Sequence, residues 1–207
     1  MNRYSRLLAC AIALCATTAF AQDNQLYDDP DDPNASFVRI VSPGETLAVV
    51  GETTFDNVQG GVTPYVMLAA GAVSVAVGNL VSEGDIPPTS FYSFVAGSDG
   101  TLHLLQDEIT NSPAKADLVF YNLSDLAMVD LYVPSVDALA LEAIEQNTSR
   151  QVALKAPLTL DFEVRDGATV LASLPAIEMR RRAGVTVVFS GTAGDYTAYS
   201  TENLYSN

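Results

Sequence analysis

Cysteine occurs only at positions 10 and 15, tryptophan is absent, histidine occurs once, and basic side chains number 10 against 25 acidic ones. Each scarcity removes a class of function. With one histidine and no cysteine beyond residue 15, a closed zinc or copper site has too few nitrogen and sulfur donors. A serine–histidine–aspartate hydrolase needs an imidazole base and a serine on a sharp glycine-flanked turn, and no Gly-x-Ser-x-Gly is present. The single imidazole, His103 in Thr101-Leu102-His103-Leu104-Leu105, therefore reads as a strand histidine on a polar face. No catalytic residue, no metal site and no cofactor is expected, so the chain is read as a non-enzyme.

Residues 1–21 carry a basic start at Arg3 and Arg6, an apolar run from Leu7 to about Ala19 and a small-x-small end at Ala19-Phe20-Ala21. This is the anatomy of an export signal, which predicts a mature chain beginning at Gln22 in the periplasm. Leu7-Leu8-Ala9-Cys10 offers lipoprotein processing as an alternative, although the apolar run continues past that cysteine. The run is shorter than the ~20 residues that span a bilayer. Both cysteines fall inside the signal, so the exported chain has no disulfide and its stability must come from a hydrophobic core. Losing Arg3 and Arg6 takes the formal charge from −15 to −17, with eight basic side chains facing 25 acidic ones. Such a field repels nucleic acid and anionic polymers and favours basic surfaces, while a local patch can still override it.

What is present after residue 35 is short strands and turns. Phe37–Val41 stops at Ser42-Pro43-Gly44, Thr46–Val50 at Gly51, Thr53–Val58 at Gly60-Gly61, and Tyr65–Leu68 at Ala69-Ala70-Gly71. Val73–Val77 alternates at period two, Gly84–Pro88 reads as a loop, and Phe91–Val95 and Thr101–Gln106 as strands. At Lys115 the pattern restarts. Ala116–Asn122 resembles Ala35–Val41 at a spacing of 81, Leu158–Val164 matches Val73–Asn79 at roughly 87, and Val185–Gly191 matches Tyr92–Gly97 at 94. Asp166-Gly167 marks a hairpin. Val136–Gln146, rich in helix formers, reads as a short helix or a strand pair. The fold expected is all-β, with two tandem β-sandwich modules of immunoglobulin or fibronectin type: an arm over 22–35, a first domain over 36–112 and a second over 113–207.

Three constellations stand out. Asp28, Asp29, Asp31 and Asp32 offer oxygen ligands to calcium, but without an EF-hand's glycine and distal glutamate they read as a solvated or partner-docking arm. Arg180-Arg181-Arg182 is a positive spot on a negative chain, suited to an acidic loop or anionic sugar, or else a charged hairpin end. In an extended strand its alternate side chains would face opposite ways. Tyr196, Tyr199 and Tyr205 could stack sugars, though tyrosine is common in strands.

The lead-in Leu26-Tyr27, Pro30, Pro33, Ser36-Phe37-Val38-Arg39, followed by Ala116-Asp117-Leu118-Val119-Phe120-Tyr121-Asn122-Leu123-Ser124-Asp125, resembles the alginate biosynthesis protein F (AlgF) family. The resemblance covers most of the chain in size and order, and only those two stretches are specific. It implies a periplasmic accessory protein required for O-acetylation of the exopolysaccharide alginate, a component of biofilms. Its implied partners are the periplasmic and membrane-associated alginate O-acetyltransferases, with no nucleic acid and no membrane insertion. The candidate partner-binding residues are Tyr27, Phe37, Arg39, Arg180, Arg181 and Arg182. The alternative is a carbohydrate-binding module that holds the acidic polysaccharide directly.

Overall fold

The structure, a computed structural model, describes residues 34–110 and 112–206. The export signal, the calcium reading and Tyr27 lie outside the described residues. The first eight strands are β1 (Ala35–Val41), β2 (Ala48–Val50), β3 (Thr53–Phe55), β4 (Tyr65–Ala69), β5 (Gly71–Val77), β6 (Leu80–Ile86), β7 (Phe91–Ala96) and β8 (Leu102–Asp107). They form the sheets β3-β2-β5-β6 and β4-β1-β7-β8. The next eight are β9 (Lys115–Ser124), β10 (Met128–Val133), β11 (Ala138–Glu145), β12 (Thr148–Lys155), β13 (Leu158–Asp166), β14 (Thr169–Met179), β15 (Gly184–Thr192) and β16 (Asp195–Glu202). Their sheets are β11-β10-β13-β14 and β12-β9-β15-β16.

The second set repeats the first strand for strand. In each sandwich the first strand pairs antiparallel with the fourth and parallel with the seventh. The three matches read from the sequence join true equivalents: β1 with β9, β5 with β13, β7 with β15. Two of their spacings need correction by one residue. Val38 and Ile40 enter the first core, and Leu118 and Phe120 the second, so the spacing that keeps faces aligned is 80, not 81. Phe94 and Val95 likewise match Val187 and Val188 at 93, not 94. A slip of one residue turns every side chain to the other face. The spacing of 87 stands, since Val73, Val75 and Val77 fall on Leu160, Phe162 and Val164.

Two cores lie inside the sandwiches and a third lies between them. Val41, Val62 and Val95 of the first sandwich meet Val119, Tyr121, Leu123 and Val188 of the second. The sheets β4-β1-β7-β8 and β12-β9-β15-β16 thus pack their outer faces together. Strands covered on both faces lose their polar alternation. That is why β1, β9 and β15 are buried almost without a break, whereas β5 keeps a solvent face with Ala72 and Ser74 exposed and its valines buried.

A final strand, β17 (Tyr205–Ser206), returns to the first sandwich and pairs parallel with β4 at Tyr65 and Val66. Two local expectations change. Val136–Gln146 is not helical; β11 runs through it, and Leu141 and Ile144 in the core outweigh its helix propensity. The expected loop at Gly84–Pro88 is largely β6, where Gly84 lets the Leu104 and Phe94 side chains approach to within 2.9 and 3.0 Å of where a Cβ would lie. At the Asp-Gly hairpin, Asp166 pairs with Thr169 and Gly167 takes φ 57° in the turn.

Phe120, fully buried in the second core, should cost roughly 3–5 kcal/mol when changed to alanine. Exposed Leu139 should cost less than about 0.5 kcal/mol on the same change. Urea unfolding of both variants measures the difference.

Candidate functional site

The largest polar constellation among the described residues sits where the two sandwiches meet, and Arg39 is its centre. Position 39 lies on the face of β1 opposite Val38 and Ile40, which turns it toward the second sandwich. Its guanidinium is 1% exposed. Nε donates to Ser93 Oγ (2.9 Å), Nη1 to Thr186 Oγ1 (2.8 Å) and Asn203 Oδ1 (3.2 Å), and Nη2 to Tyr121 Oη (3.0 Å). Asp107 Oδ2 lies 3.7 Å from Nη2, and the guanidinium carbon stands 4.2 Å above the Tyr65 ring. Asp107 in turn accepts from Tyr65 Oη (2.7 Å), Ser93 Oγ (2.5 Å) and Tyr121 Oη (2.5 Å). Four of the five donor hydrogens of the fork thus meet an oxygen, as burial of a charge requires.

The repeat explains how the second sandwich supplies its share. Arg39 pairs with Ser93 across β1 and β7, and the equivalent pair across β9 and β15 is Val119 with Thr186. Asp107 opposes Phe91, and Asn203 donates its N–H to Gly184, the equivalent of Phe91. Ser93 and Thr186 therefore correspond, as do Asp107 and Asn203. Arg39 and Tyr121 have apolar equivalents, Val119 and Val41, and charged Asp107 answers to neutral Asn203, so the polar set closes around one cation and one anion. Burial alone would lower the Arg39 pKa, but the attraction of Tyr121, Tyr65 and Asp107 wins and holds it above its ordinary value. Burial raises the pKa of Tyr121 and Tyr65, and also that of Tyr199.

The other sequence-predicted residues are not gathered around one opening. Arg39 is not available to a partner, because its fork is spent inside the interface. Phe37, half-buried, stacks on Phe91 at 4.7 Å and meets Tyr205 edge-on at 6.1 Å. Arg180 pairs with Glu202, Arg181 Nε donates to the Ala156 carbonyl (2.9 Å), and Arg182 adopts φ 59° with its backbone N–H on Lys115. The triplet is a turn between β14 and β15, not an extended strand. His103 lies 3.0 Å from Asp99 Oδ2 and 3.1 Å from Thr101 Oγ1. All three belong to one exposed hairpin end with no apolar enclosure, and hydrogen bonds from Thr101 and His103 hold the Asp99 carboxyl below its usual range. No group of three or more histidine, cysteine, aspartate or glutamate side chains among the described residues is arranged to hold a metal ion.

Sequence reasoning missed Tyr65, Ser93, Asp107, Tyr121, Thr186 and Asn203. One signal was available. An arginine inside Phe-Val-Arg-Ile-Val has apolar neighbours on both sides, so it must find polar partners buried with it. The Asn-Leu-Ser-Asp stretch is also structural. Asn122 bonds the Leu126 and Ile144 carbonyls, and Asp125 accepts from the Ala193 N–H and Tyr196 Oη.

These features define a class: a double β-sandwich whose polar centre is sealed between its modules. The family profile described as alginate O-acetyl transferase AlgF matches residues 9–156, and the chain belongs to this AlgF family. The match includes Arg39, Asp107 and Tyr121 and ends before Thr186. The alginate biosynthesis protein AlgF of Pseudomonas fluorescens is 22% identical over 189 residues, covering 89% of this chain and 86% of that one. Among solved structures, the C-terminal domain of AlgF from P. aeruginosa aligns with a TM-score of 0.39 at 16% identity, over 43% of this chain and 98% of that domain.

Changing Arg39 to methionine should cost roughly 3–5 kcal/mol by leaving Asp107 buried without its cation, and adding Asp107→Leu should restore part of the loss. Chemical denaturation of the single and double variants measures both. Stability also depends on alkaline pH. Phenols whose folded pKa is raised contribute fully below their unfolded value of about 10 and lose that contribution as pH climbs toward the folded value. Unfolding midpoints should therefore fall above about pH 10, and phenolate absorbance should show Tyr65 and Tyr121 ionising only as the chain unfolds.

Proposed function

We propose that this chain is a non-catalytic periplasmic adaptor in alginate O-acetylation, one that docks the acetyltransferases and performs no group transfer itself. One observation carries the reading. The most extensively linked titratable side chains, Arg39, Asp107, Tyr65 and Tyr121, are buried between the sandwiches and bonded to one another. Acyl transfer needs a nucleophile and base that reach a substrate. On the surface, His103 with Asp99 and Thr101 sits at an exposed hairpin end, where water competes for any acyl donor. The family description speaks of an acetyltransferase, and membership in a pathway complex accounts for that name without requiring chemistry here.

The periplasmic part of the proposal rests on the signal anatomy of residues 1–21, and no described helix is long and apolar enough to cross a membrane. A strongly acidic chain is also better fitted to basic protein surfaces than to a polyuronate. The polymer-holding alternative needs the arginine triplet, and there Arg180 is paired with Glu202 while Arg181 is bonded to a backbone carbonyl.

Residues 22–207 should co-purify with the periplasmic acetyltransferase domains, and no association with any of them would remove the adaptor reading. In a deletion strain, His103→Ala should restore polymer acetylation to the wild-type level. A loss of acetylation with a folded His103→Ala protein would instead place chemistry at that hairpin.

A further inference from the structure

The two sandwiches differ at one matching edge. In the first, β4 is not an outer strand, because β17 pairs with it at Tyr65 and Val66 and the Tyr65 backbone N–H donates to the Leu204 carbonyl (2.8 Å). The equivalent strand of the second sandwich is β12. Val66 opposes Val38 and Val152 opposes Leu118, so Gln151 stands where Tyr65 stands. Among the described residues no strand is hydrogen-bonded to its outer side. The β12–β9 register runs unshifted from Thr148 to Lys155 and continues into the Ala156 N–H on the Ala114 carbonyl (3.2 Å). Bonded and unbonded pairs alternate in an antiparallel ladder. Ser149, Gln151, Ala153 and Lys155 therefore turn their N–H and C=O groups to the open side.

Most other outer strands carry the devices that blunt an edge. β11 is bulged, β14 holds Pro175 and a register shift, β3 has three residues and β6 carries Glu83 and Asp85, whereas β12 carries Arg150 and Lys155 but no bulge and no proline. β16 is regular, but its equivalent β8 also ends a sheet, so the repeat supplies no precedent for a strand there. Beside β12 a groove of about 570 Å³ opens, lined by Glu108, Glu142, Glu145, Arg150 and Gln151 among others. The Gln151 side-chain oxygen is buried there and has no hydrogen-bond partner among the described residues.

We infer that β12 receives an added strand from a partner protein, and that this strand is an extended segment bearing lysine or arginine. The inference rests on the adaptor reading for the partner's role, and on the geometry alone for the site. Backbone bonding along the edge would supply affinity, as β17 supplies it to β4. Three glutamates against one arginine select positive side chains, and none of these four is in an ion pair among the described residues. The chain's own residues 22–33 carry aspartates and two prolines, the wrong charge and a poor ladder.

Amide hydrogen exchange of residues 22–207 tests the site with a synthetic peptide of alternating lysine and valine, compared with one of alternating glutamate and valine. The lysine peptide should slow exchange at Ser149, Gln151, Ala153 and Lys155 by roughly tenfold, and the glutamate peptide should leave it unchanged. Ala153→Pro removes an outward N–H without touching the β9 ladder and should abolish the protection. Glu142→Lys with Glu145→Lys, which leaves the backbone intact, should weaken it and covers the case in which the proline variant does not fold. Unchanged exchange, equal protection by both peptides, or β12 amides already protected by a second copy of the chain would each overturn the inference. The same variants in the co-purification separate the two readings. If wild type associates with the acetyltransferase domains and both folded variants do so equally, the edge is wrong and the adaptor stands. If the lysine peptide protects β12 while no acetyltransferase associates, the edge stands and the adaptor reading fails.

Discussion

A single buried cation sets the terms on which the two halves of this chain can meet. An isolated guanidinium taken from water costs several kcal/mol even after relaxation, so Arg39 can be buried only where enough oxygens converge. β4, β7 and β8 supply Tyr65, Ser93 and Asp107. They do not suffice alone. Thr186 Oγ1, Asn203 Oδ1 and Tyr121 Oη come from the second sandwich or the segment just after it, so the charge is satisfied only when the two sheets are face to face in one register. The surrounding Val41, Val62, Val95, Val119 and Val188 contribute non-directional burial, which would tolerate sliding. The polar set is directional and does not. Affinity between the modules comes mainly from the apolar residues, and their relative position from Arg39.

The C-terminal strand reinforces the same constraint from a different side. Asn203 holds Arg39, and two residues later Tyr205 stacks on Tyr65 at 5.6 Å while its backbone joins β4. Phe37 and Phe91 complete the aromatic group, stacked on each other and edge-on to Tyr205. A residue chosen from the sequence as a docking contact is thus part of a clasp. The first sandwich is closed at β4 by a strand that belongs, in chain order, after the second.

Much of the architecture was legible because period and punctuation are local properties. β5 and β13 alternate, glycines and prolines mark many of the turns, and the restart at Lys115 announces the repeat. Faces were harder to read. The central strands are largely buried on both sides, so little in Ala35–Val41 or Ala116–Asn122 distinguishes core from interface, and a spacing one residue too long aligned residues that point in opposite directions. β11 was ambiguous because alanine, leucine and glutamate favour helices, and only its tertiary pairing with β10 decides the matter. The polar centre was the least legible part. Its members come from positions 39, 65, 93, 107, 121, 186 and 203, and separations of that size leave no local pattern; only the oddity of an arginine between β-branched residues pointed to it.

The internal repeat also turns absence into information. Equivalent strands start from equivalent environments, so a difference between them has a specific cause. Arg39 facing Val119 is such a difference: one charge, not two, because a second guanidinium in a pseudo-symmetric interface would place like charges together in a medium that screens them poorly. Asp107 facing Asn203 follows, since one cation calls for one anion and the second position needs only a neutral oxygen. The covered β4 and the open β12 are a third pair of the same kind. There the departure leaves a long, regular edge, unpaired among the described residues, beside an acidic groove. A monomer gains nothing in stability from such an edge and risks self-association through it. In an adaptor, that exposure is what leaves room for a partner's strand.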